Sequence, residues 1–203
     1  MPEFDQEYPQ RELFGGAIVS SICQTFDDLS DFRPVPDHQE VYSDKNSKTS
    51  LMIELLARED IEDSNAAEHF FRDLAEFNNA QQTEIFYSKV FHSQECVPSL
   101  NPAIPRCFLV GRQLVDKDHS LDDVVIYMLA IRLLSHPIDI LITLNAVKDG
   151  SPAISQISSN VQENPTALYH NNSLAAGTLL SDPEKIFNIA VNTFEIRDYN
   201  LFG

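Results

Sequence analysis

Val124-Val125-Ile126-Tyr127-Met128-Leu129-Ala130-Ile131-Arg132-Leu133-Leu134 is nearly all apolar, and Ile138-Asp139-Ile140-Leu141-Ile142-Thr143-Leu144 nearly so. Only Ser135-His136-Pro137 separates them. Parallel strands need a long crossover, so a connection this short makes the two runs antiparallel neighbours. Strands apolar on both faces belong to a sheet that is covered on both sides. These two runs therefore set the centre of the fold, and the rest of the chain must supply its flanking strands and its covers.

The flanking strands read as 107–115, 84–91 and 51–56, the last with a helix as the alternative. Pro98, Pro102 and Pro105 fill a turn-rich loop. Two helices supply the covers. From 65 to about 78, Ala67, Phe70, Phe71, Leu74 and Phe77 follow the three-and-four spacing of one apolar face, with Ser64 as N-cap. Those phenylalanines read as core packing before they read as a ligand site. Near the C-terminus, Ser181-Asp182-Pro183-Glu184 combines a cap, an early proline and a capping-box glutamate. Ile186, Phe187, Ala190, Val191 and Phe194 give that second helix its buried face. Residues 25–31 read as a short capped helical turn, 17–19 as a short strand, and 145–180 as a long loop with a short helical piece near Leu168. The expected architecture is an α/β sandwich of the α+β kind, a mainly antiparallel sheet with helices on both faces. Residues 1–12 read as a loose acidic tail and 13–203 as a single domain. There is no internal repeat and no coiled coil.

The chain has 203 residues and a formal charge of −17. Such acidity repels nucleic acid and anionic membranes and attracts basic partners; it also simply keeps a protein soluble. Cys23, Cys96 and Cys107 are odd in number and widely spaced, which fits a reducing compartment and no disulfide framework. The N-terminus has neither a basic region nor an apolar run, and the longest apolar run is too short to span a bilayer. The expectation is a soluble protein of the cytosol or nucleus, with no membrane insertion and nothing to suggest more than a monomer.

Two stretches stand outside this packing logic. One is Leu13-Phe14-Gly15-Gly16-Ala17-Ile18-Val19. The other is Phe32-Arg33-Pro34-Val35-Pro36-Asp37-His38-Gln39-Glu40-Val41-Tyr42. The twin glycine permits backbone angles that a Cβ blocks, but it lacks the spacing of a phosphate loop. The prolines around Val35 stiffen an extended stalk. Asp37 and Glu40 have two readings. As Asp-x-x-Glu they form a capping box. If 37–40 makes one helical turn, both carboxylates project from one side as an acidic claw for a basic partner.

The case for an enzyme is poor. The six histidines form no His-x-x-x-His pattern, and Asp37-His38-Glu40 is at most a weak metal candidate. No Gly-x-Ser-x-Gly elbow or nucleotide fingerprint is present, and no cysteine carries a nucleophile's motif. No cofactor and no catalytic residue are expected.

The two stretches together resemble the Ran guanine-nucleotide release factor (Mog) family. Its members carry a Phe-Gly-Gly-Ala opening and a Val-Pro-Asp-x-Gln-Glu-Val core, here Val35-Pro36-Asp37-His38-Gln39-Glu40-Val41. Further counterparts are Asp73-Leu74-Ala75-Glu76-Phe77-Asn78, the runs Ile131-Arg132-Leu133 and Asp139-Ile140-Leu141-Ile142-Thr143-Leu144-Asn145, and the ending Asp198-Tyr199-Asn200-Leu201-Phe202. The resemblance covers most of 13–202, weakly across 79–106 and not across 146–180. His38 stands where the family has Asn or Thr, and Phe32 where it has Leu. The resemblance implies a fold shared with the photosystem PsbP proteins. It implies binding to the GTPase Ran, release of its nucleotide, chiefly GTP, and a place in transport between nucleus and cytoplasm. It implies Asp37 and Glu40 as the principal Ran contacts, with Arg33, Gln39 and Val41 flanking; local pairing of Arg33 with Asp31 or Glu40 is an equal alternative. The competing functional reading is an adaptor on the same fold that takes another basic partner on its acidic surface.

Overall fold

The computed structural model describes residues 7–92, 94–117, 120–147 and 183–203. Among the described residues, ten strands form two sheets. The larger has seven strands, β3 (Phe26–Asp28), β4 (Gln39–Asp44), β5 (Thr49–Ala57), β6 (Ala80–Phe91), β7 (Arg106–Lys117), β8 (Ser120–Leu133) and β9 (Ile138–Val147), in the spatial order β3-β4-β5-β9-β8-β7-β6. Every pairing is antiparallel. The smaller sheet joins β1 (Gln10–Leu13), β2 (Ile18–Ser21) and β10 (Glu195–Ile196) in the order β1-β2-β10. Among the described residues, the two longer helices are α1 (Asp63–Phe77) and α2 (Pro183–Thr193).

The two apolar runs pair as expected, with Leu133 opposite Ile138 and Val124 opposite Val147. Side chains alternate along β8. Val125, Tyr127, Leu129 and Ile131 enter the core shared with α2 and the small sheet. Val124, Ile126, Met128 and Ala130 enter a second core under α1. The run Val124 to Ile131, apolar at every position, thus feeds two cores at once, one on each face of the sheet. Ile186, Phe187, Ala190 and Val191 of α2 lie in the first core, where Phe187 meets the rings of Phe108 and Tyr127 at 5.9 and 5.7 Å between centroids.

Helix α1 packs closely against β7. A Cβ built on Gly111 would lie 2.8 Å from the Phe71 ring and 2.8 Å from the Glu84 carbonyl oxygen, so no larger residue fits. α1 starts at Asp63, with Glu62 as its unbonded cap, and Ser64 lies inside it rather than capping it. Ala66, Ala67, Phe70, Phe71 and Ala75 are buried, but Phe77 is 84% exposed. The helical period is right; the last turn overhangs the sheet, and Asn79 with φ 52° turns the chain back into β6. The loop before α1 is fixed by buried charge. Arg132 donates to Asp139, to Asp63 and to the carbonyls of Glu59 and Ile61, and Asp139 accepts the Glu59 N–H.

Several boundaries differ from the sequence reading. Residues 10–12, expected in a tail, are strand, because Gln10 to Leu13 pair with Ser21 to Ile18 and Tyr8 is buried. Residues 26–28 are strand, and only Leu29–Asp31 forms a helical turn, capped by Asp28. Strand β9 runs on through Val147. The expected Ser181 cap, the helical piece near Leu168 and most of the long loop lie outside the described residues. β6 edges the large sheet and carries register shifts near Gln82 and between Ile85 and Tyr87. The three cysteines are free and buried.

Candidate functional site

Residues 37–40 do not form a helical turn. The Gln39 N–H donates to the Pro36 carbonyl at 2.9 Å, closing a β-turn, and Gln39 then opens β4. Both the capping box and the shared helical face are therefore corrected: a strand sends Gln39 and Glu40 to opposite faces. The prolines explain the outcome, since Pro36 and the extended stalk before it deliver the chain straight into a sheet.

Asp37 lies on that turn, exposed, and its carboxylate makes no hydrogen bond or ion pair among the described residues. Gln39 donates through Nε2 to Glu54 Oε1 across the β4–β5 pair at 2.7 Å. Val41 is 8% exposed and backs the strand. Arg33 is exposed and makes neither of the local pairings considered for it. Phe32, beside it, is 71% exposed.

Glu40 is placed differently. It is half-buried, and its Oε1 accepts the backbone N–H of Phe14 at 2.5 Å. Burial pushes its carboxyl pKa up; the Phe14 N–H opposes that, the charge of Asp28 adds to it, and the Tyr42 hydroxyl opposes it. Phe14, Gly15 and Gly16 have φ of 49, 66 and 91°, so three consecutive residues occupy the left-handed region. The twin glycine serves this turn, as its sequence suggested. The Ala17 carbonyl at the turn's end accepts the N–H groups of Arg197 and Asp198 at 2.8 and 3.1 Å. From there the C-terminal turn Tyr199–Phe202 stacks on His136 in the β8–β9 connection, with centroids 5.5 and 5.9 Å apart.

The structure thus brings Asp37, Glu40 and the 14–16 turn to one end of the sheets. Arg11, Asp28 and Tyr42 also belong to this end and were not singled out. Arg11 donates to the Phe26 carbonyl at 2.8 Å and lies 5.3 Å from the Tyr42 ring centroid. The period-two spacing of Glu40 and Tyr42 is the signal that could have found the latter. Asp37, His38 and Glu40 do not converge, and among the described residues no group of three or more His, Cys, Asp or Glu is placed to hold a metal ion.

Fold and site together define an α+β sandwich with an acidic, partly apolar end whose second shoulder is a glycine turn. A family model described as "Ran-interacting Mog1 protein" matches residues 11–147, and the chain belongs to that family. It is 30% identical over 203 residues to a probable ran guanine nucleotide release factor of Dictyostelium discoideum, covering 97% of each chain. It is 29% identical over 161 residues to the nuclear import protein mog1 of Schizosaccharomyces pombe, covering 76% of this chain and 83% of that one. The crystal structure of the Saccharomyces cerevisiae Ran-binding protein Mog1p shares the fold with a TM-score of 0.68 at 23% identity, covering 98% of this chain and all of the other.

Proposed function

We propose that this protein binds the small GTPase Ran and promotes release of its guanine nucleotide, chiefly GTP, in transport between nucleus and cytoplasm. It acts as a regulator and not as a catalyst of bond breaking. The observation that carries the reading is the Asp37 carboxylate, held exposed and unpaired on a proline-stiffened turn within a family defined by Ran interaction. The name of the Dictyostelium relative supports the release activity, and that of the S. pombe relative supports the transport role.

The mechanism follows from how GTPases hold nucleotide. Lysine, Mg²⁺ and backbone N–H groups grip the phosphates. A carboxylate presented by a partner competes for the lysine or for the metal's ligands and so favours the empty state. Release is a population shift, and it requires tighter binding to empty than to filled Ran. The acidic end, through Asp37 and the Glu40 region with Arg33, Gln39 and Val41 flanking, supplies the contact. The net charge of −17 speeds association at low salt. Release of a fluorescent guanine nucleotide from purified Ran, GTP and GDP forms in parallel, tests this. The chain should accelerate GTP release, and the Asp37→Ala, Glu40→Ala double variant should not. Equal release by a folded double variant would remove the acidic end from the mechanism.

A further inference from the structure

We draw no further inference here: the strongest candidate, the surface patch of Ser43, Ser50 and Met52 on the α1 side of strands β4 and β5, carries nothing because nothing in the structure shows what covers it.

Discussion

Replacing Arg132 by Met should be among the most destabilising single changes in the molecule. Arg132 and Asp139 are both fully buried, and they meet at 3.1 Å. Arg132 also donates to the Ile61 carbonyl at 2.6 Å, the Glu59 carbonyl at 2.6 Å and Asp63 at 3.1 Å. Methionine fills similar space but leaves Asp139 a buried anion whose remaining cation is Arg58, 3.6 Å away. Removing one partner of a buried pair costs about 3–5 kcal/mol. The orphaned Glu59 and Ile61 carbonyls keep the value toward the upper end, while Arg58 pulls it down. We therefore expect about 4 kcal/mol by urea unfolding, with an unchanged slope. The Arg132→Met, Asp139→Leu double variant should cost less than the sum of its parts, since no charge is left stranded. Hydrogen exchange should show residues 58–62 opening first, because Arg132 and Asp139 are what tie that loop to the sheet. A cost under about 1 kcal/mol for Arg132→Met, or strict additivity in the double variant, would refute the reasoning.

Three further outcomes follow from other parts of the molecule. Phe71→Ala should cost about 3–5 kcal/mol by thermal or urea unfolding, and Phe77→Ala no more than about 0.5, since one ring is buried against β7 and the other hangs in solvent. Burial raises the pKa of Glu54 above the ordinary 4.5 despite Gln39 and His38, which oppose the shift. The folded state therefore binds this proton more readily than the unfolded one, and ionising Glu54 costs stability as pH rises through its folded pKa. Glu54→Gln should thus stabilise the chain at pH 7, and its advantage should shrink as pH falls toward 4.5, which paired denaturation curves across that range will show. Burial pushes the thiols of Cys96 and Cys107 up to about 12; a thiol reagent at pH 8 should label them at the rate of unfolding, not of encounter.

The centre of the fold was legible because its signal is periodic and redundant. Two apolar runs joined by three residues leave one arrangement, and the alternation along β8 repeats it at every position. Helix α2 was legible from Pro183 onward for the same reason. Boundaries were harder, because tertiary pairing overrode local composition. Polar Gln10 to Glu12 became strand through their partner β2 and not through their own propensity. Phe77 shows the other failure: helical spacing says which face a residue occupies, not whether anything lies opposite it. At the site, the paired reading of the two unusual stretches was sound, and the Glu40 to Phe14 bond spans their 26-residue separation. The error lay in giving Asp37 and Glu40 the same environment. Spacing of three puts two residues on one face of a helix but on opposite faces of a strand, and the β-turn at Pro36 excluded the helix. That Glu40 bonds a backbone N–H carried no sequence signal, since backbone groups leave no mark in composition.

Among the described residues, β6 forms one margin of the large sheet. β6 is twelve residues long, and a straight margin of that length would offer its free amide and carbonyl groups to any extended peptide in the cell. The two register shifts divide it into shorter pieces that point in different directions. At the opposite margin β3 is three residues long, too short to template anything. Together with mutual repulsion between chains of charge −17, this makes self-recruitment into fibrils unfavourable at both ends of the sheet. A protein whose larger sheet is paired antiparallel throughout is thereby kept available for partners other than itself.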